Sequence, residues 1–132
     1  MDLIFSNLPA IFVTAFFAIL FLQSGLDKVL DYKGNLAYLS DHFKNSPLGG
    51  SINLLLPILT LLEVMTGLVS IIALLQLLFS GQSVLAYYSP LFAGISLLCL
   101  FFGQRIARDY GGAAGIVPYF IVVLLGLWMI KM

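Results

Sequence analysis

LLLPILTLLEVMTGLVSIIALLQLLF, residues Leu54 to Phe79, is an almost unbroken apolar run interrupted by one carboxylate, Glu63. Thr60, Glu63, Thr66, Gly67 and Ser70 recur at i, i+3, i+6, i+7 and i+10, so they share one helical face while leucine covers the rest. That face should avoid lipid. A carboxylate inside a bilayer is costly and turns toward a bundle interior, where a partner or a proton offsets the cost. The run therefore predicts a membrane helix whose neighbours supply that interior.

The composition agrees. The chain has 132 residues, 61% hydrophobic and only 9% charged, far from the averages of soluble domains. Runs this long and continuous predict helices, because membrane barrels need short strands of alternating polarity. The expected architecture is all-α: one integral membrane domain over residues 1–132, a four-helix bundle with spans near 8–28, 54–79, 84–103 and 112–130. Its surroundings are the lipid bilayer. Net charge is zero and no basic run is present, which argues against a nucleic-acid partner.

Cys99 and His42 are each the only residue of their type. One copy of the chain therefore offers no disulfide, thiolate cage or two-histidine haem site, and no metal is expected. Any electron transfer would need a diffusible carrier or a partner subunit. Cys99, within an apolar run, reads as a small buried hydrophobe. His42 reads as solvated or interfacial.

Met1 to Asn7 carries no Lys or Arg, and the following run lacks a small-x-small cleavage pattern, so the first span reads as retained rather than as a signal peptide. Thr14, Ala18, Gly25 and Lys28 form a small and polar stripe along it, suited to close helix packing. Between Asp27 and Asn53 the chain turns polar. There Leu36, Leu39 and Phe43 share a helical face while Asp41, His42 and Lys44 lie off it, which predicts a short amphipathic interfacial helix between spans one and two. Pro57 predicts either the first turn of the second span or a kink.

SGQS, residues 80–83, reads as a turn, followed by Tyr87 and Tyr88 as interfacial anchors and Pro90 one turn inside the third span. Gln104, Arg105, Arg108 and Asp109 close that span. One reading solvates them; a sharper one turns Arg105 or Arg108 toward Glu63. GGAAG, residues 111–115, is compact enough for a tight turn and a close helix approach, and it is no phosphate loop. Tyr119 and Trp128 are expected as anchors at the two ends of the fourth span.

The candidate intramembrane polar site is thus Lys28, Thr60, Glu63, Arg105 and Arg108, with Lys28 the first choice of partner for Glu63. Helix packing is assigned to Thr14, Ala18, Gly25 and Gly67. No catalytic residue can be named. Orientation follows from Lys28, Lys33, Lys44, Arg105 and Arg108 on loops one and three, against Lys131 alone on the other side. This predicts both termini in the periplasm of a bacterial cytoplasmic (inner) membrane.

Three blocks, LFLQSGLDKVLDY at 20–32, TLLEVMTGL at 60–68 and QRIARDYGGAAG at 104–115, together with the apolar helices between them, resemble the DoxX-type family of small four-helix membrane proteins. The family's sG-x-x-K pattern falls on Ser24, Gly25 and Lys28, and its E-x-x-x-G pattern on Glu63 and Gly67. The family is named for membrane subunits of a thiosulfate to quinone oxidoreductase. The resemblance therefore implies a membrane subunit beside redox or sulfur-handling partners, with a diffusible quinone as carrier and no cofactor bound by this chain alone. It marks Lys28 and Glu63 as motif positions without making either catalytic. The alternatives are an anchoring or assembly subunit of a larger complex and, more weakly, a small carrier that uses Glu63 as a proton site.

Overall fold

The computed structural model describes residues 2–130; Lys131, which entered the charge comparison, lies outside them. Six α-helices follow one another: α1 (Asp2–Ser6), α2 (Leu8–Leu30), α3 (Tyr32–His42), α4 (Ile52–Ser80), α5 (Tyr88–Ile106) and α6 (Tyr110–Met129). Single 3-10 turns, Gly49–Ser51 and Val84–Ala86, precede α4 and α5. No strand occurs among the described residues. Four helical stretches, Leu8–Leu30, Gly49–Ser80, Val84–Ile106 and Tyr110–Met129, are long and apolar enough to cross a membrane. The protein is an all-α four-helix membrane bundle.

Local chemistry sets the ends of these helices. Pro9 sits in the first turn of α2, where its missing N–H has no helical partner to lose. The chain folds back at Asp31, whose side chain accepts from the Gly34 N–H at 3.2 Å and opens α3. Gly81 ends α4 in the left-handed region at φ 75°, and its N–H returns to the Leu77 carbonyl at 3.1 Å. A residue with a side chain would be strained there.

Of the two readings of Pro57 the first turn is excluded: α4 begins at Ile52, so Pro57 lies inside the helix and leaves the Asn53 carbonyl without its usual N–H. Two expectations are corrected. GGAAG is helical, not a turn. The reversal occurs just before it, where Arg108 takes φ 61° and Asp109 caps α6 by accepting from the Gly112 N–H at 3.0 Å. A Cβ on Gly111 or Gly115 would meet nothing within 4 Å, so neither glycine serves close packing. The early start of α6 also moves Tyr119 to mid-helix, where its ring lies 5.9 Å from that of Phe16 instead of anchoring an end. Trp128, 70% exposed, does lie at the far end of α6.

Ile11, Phe17 and Phe21 of α2 meet Leu77, Ala93, Leu97 and Val123, forming an apolar core that joins the four spans. Leu30, Phe12, Ile19 and Phe79 point outward and are more than half exposed, as lipid-facing side chains should be. Hydroxyl pairs tie α4 to α5: Ser70 and Ser89 lie 2.7 Å apart, and Thr66 and Ser96 3.3 Å apart, all fully buried. Such pairs add a directed attraction where lipid supplies little drive for helices to associate.

Candidate functional site: a buried ion pair and a neighbouring cleft

Among the described residues Glu63 is the most buried charge, with its side chain 1% exposed. Its place on α4 turns it toward α2 along the polar face that also carries Thr60, Thr66, Gly67 and Ser70, all buried. Lys28, in the last turn of α2, brings its Nζ to 3.0 Å from Glu63 Oε2. Ser24 lies one turn earlier on the same face. It donates to Oε2 at 2.7 Å and accepts from the Lys28 ammonium at 2.9 Å. The three side chains thus form a closed ring in which both donors meet the same carboxylate oxygen.

Two glycines make the ring possible. A Cβ on Gly25 would stand 2.8 Å from Val64 Cγ2 and 3.1 Å from its backbone nitrogen. A Cβ on Gly67 would stand 2.8 Å from Leu22 Cδ2 and 2.9 Å from the Leu22 backbone nitrogen. Each glycine receives the other helix's backbone, so α2 and α4 cross closely enough for a lysine to span the gap. Thr14 and Ala18, buried further along α2, continue the packed stripe. The Thr14 hydroxyl donates to the Ala10 carbonyl at 2.8 Å.

Not every residue expected at this site joins it. Thr60 is buried but donates to the Leu56 carbonyl at 2.8 Å rather than reaching Glu63. Arg105 and Arg108 are exposed and do not turn inward, which corrects the sharper expectation. Arg105 lies over the Tyr110 ring, 4.6 Å from its centroid, and the left-handed backbone at Arg108 belongs to the α5–α6 reversal. Lys28 already occupies Glu63, and a guanidinium entering from the helix end would lose its water for no further partner.

A second cluster joins residues that are distant in sequence. His42, at the end of α3, places Nε2 3.2 Å from Gln104 Oε1 and 3.4 Å from Asp109 Oδ2. Its ring stacks on Tyr38 with an interplanar angle of 12° and a centroid separation of 5.7 Å. The interfacial helix is therefore tethered to the α5–α6 reversal, while Phe43 buries itself and Asp41 and Lys44 stay exposed. Below the tether lies a cleft of about 290 Å3 between α3, α4 and α5, with Leu59, Leu62 and Leu100 on its walls and His42 and Gln104 at one end. Cys99 lines it and is exposed, against the expectation of a buried thiol. Glu63 does not line the cleft, so ion pair and cleft are separate features.

The residue pattern marks Lys28 and Glu63 but offers Ser24 only as a motif residue. Its spacing of four from Lys28 is the available signal. Nothing in the spacing links His42 to Gln104 and Asp109, which lie beyond the second span and at the far end of the third. Among the described residues no group of three or more His, Cys, Asp or Glu side chains gathers as a metal site. Compared with known proteins, the chain matches no family model, no curated protein and no solved structure.

Proposed function

We propose that the chain is a DoxX-like integral membrane subunit of a quinone-linked redox complex, with both termini in the periplasm of a bacterial cytoplasmic membrane. It contributes the bilayer-embedded scaffold, and the redox groups reside in partner subunits or in diffusible quinone. One observation carries this reading. Ser24, Gly25 and Lys28 on one helix and Glu63 and Gly67 on another, the positions on which the resemblance rests, meet at a single helix crossing. Motif residues that depend on one another for packing and charge are what a shared bundle architecture requires.

The closed ring also favours anchoring as the alternative role and weighs against a proton carrier. Glu63 is sealed, doubly hydrogen-bonded and apart from the cleft, so a proton would have to break the bundle's own clamp to reach it. The test is purification of the tagged chain from its native membranes in mild detergent. A stoichiometric redox subunit and quinone-reducing activity in the particle are expected. A large particle without quinone-linked activity would leave anchoring as the function, and a lone chain with neither would overturn both readings.

A further inference from the structure

One helix covers the cleft without being packed into the bundle. No side chain of α3 is buried, yet Tyr38, Leu39 and His42 line the cleft, together with Phe43 just past the helix end. The first end of α3 is fixed to α2. A single non-helical residue, Asp31 (φ -128°, ψ 57°), separates the two helices, and the Asn35 amide donates back to the Asp27 and Asp31 carbonyls at 3.4 and 2.9 Å. The far end runs through Ser46, Pro47, Gly49 and Gly50 before α4 begins, and a Cβ on Gly50 would meet nothing within 4 Å. α3 is thus built as a flap with a pivot at Asp31 and a compliant connector behind it. Its free end is held where His42 is held.

That hold is polar and narrow. His42 Nε2 faces two acceptors at once, Gln104 Oε1 at 3.2 Å and Asp109 Oδ2 at 3.4 Å, so this nitrogen carries a proton and donates whatever the charge of the ring. An imidazolium adds to the hydrogen bond a Coulombic attraction for the carboxylate that the neutral ring lacks. The side chains of His42 and Asp109 are 24% and 33% exposed, wet enough to exchange protons with water and shielded enough to keep part of that attraction. The groups around them leave Asp109 as the charge that His42 meets. Tyr38 stacks on the ring, α4 brings only aliphatic side chains to the cleft, and α5 adds Cys99. Asp41 pairs with Lys44 at 3.2 Å, Arg105 lies over the Tyr110 ring, and Arg108 is exposed on the α5–α6 reversal.

We propose that α3 is a pH-sensitive lid on the cleft, latched shut by the contact of His42 with Asp109 and loosened at that end when the imidazole loses its charge. The direction follows from the two partners. Imidazole is the side chain that ordinarily changes charge between about pH 5 and 8, whereas an ordinary aspartate is already ionised at the acid end of that range. The latch is therefore strongest on the acid side and weakens as pH rises. Once it weakens, α3 swings about Asp31 and uncovers the cleft. The lid controls access whatever enters, and it works whether or not the chain serves a redox complex.

Distances between paired spin labels read the lid directly. The full chain carries Cys99→Ser, with labels at Ser40→Cys in the last turn of α3 and at Gly111→Cys, an open position on α6. It is placed in phosphatidylcholine nanodiscs, whose headgroup keeps no net charge, at about pH 5 and about pH 8. One short distance is expected at the acid end, and a second, longer population should grow several-fold at the alkaline end. His42→Gln keeps an N–H donor that does not titrate, and Asp109→Asn keeps an oxygen for the Gly112 N–H without the charge. Each should make the distribution the same at both pH values. An unchanged distribution in the labelled parent chain, longer distances at the acid end, or a pH response that survives His42→Gln would overturn the lid. The parent chain retains both latch residues, so its comparison decides the matter even where a variant fails to fold.

Discussion

Glu63 is tolerated inside the bundle because two donors meet one of its oxygens and a glycine on each helix lets them arrive. Removing the cation alone is the severe change. Lys28→Met should destabilise the detergent-solubilised bundle by about 3 kcal/mol, since it strands a buried carboxylate. Adding Glu63→Gln should recover more than half of the loss, because the amide can still accept from Ser24 and carries no charge. Thermal unfolding of the two single variants and the double variant reads this coupling directly, and additive losses would refute it. The pair was legible in the sequence because a lone carboxylate in an apolar run must find a partner, and the small stripe on the first span ended in a lysine. The His42 tether was not legible, because its partners lie at the far end of the second of two intervening spans and no local spacing records them.

At the scale of elements, small residues divide into two kinds that the sequence presents alike. Gly25→Ala should cost about 1–3 kcal/mol, because the new methyl meets the Val64 backbone, which cannot swing aside. Gly115→Ala, on an open helical position, should be neutral or stabilising by about 0.5–1 kcal/mol. The same unfolding measurement compares them, and equal effects would show that the crossing is looser than described. GGAAG resembled a turn because glycine permits one, yet Asp109 captures the Gly112 N–H first and starts the helix early. The interfacial helix gives a third expectation: spin labels at Leu36 and Leu39 should be less accessible to aqueous quenchers than labels at Asp41 or Lys44. His42→Ala should narrow that difference by releasing the helix from Gln104 and Asp109.

The whole molecule has a cavity at each end, one of about 290 Å3 under α3 and one of about 340 Å3 lined by Asn7, Leu77, Gly81 and Ile130, while the apolar core joins the four spans. The four spans and their order followed from hydrophobic length alone, whereas the cleft depends on where α3 settles and had no counterpart in the residue pattern. The basic residues of loops one and three predict that the end carrying α3 faces the cytoplasm. A green fluorescent protein fused after Met132 should stay dark, because it matures poorly when exported unfolded. Bright fusions would reverse the orientation and put the α3 end in the periplasm.

The ring of Ser24, Lys28 and Glu63 also constrains how the chain is made. Its two charges belong to different spans, and α2 leaves the ribosome before α4. A charged residue at the middle of an isolated helix costs ~2.5–3.5 kcal/mol to release into lipid, so Glu63 opposes the departure of α4 by itself. The first two spans are therefore expected to leave the insertion channel as one hairpin, neutralised before either meets the bilayer.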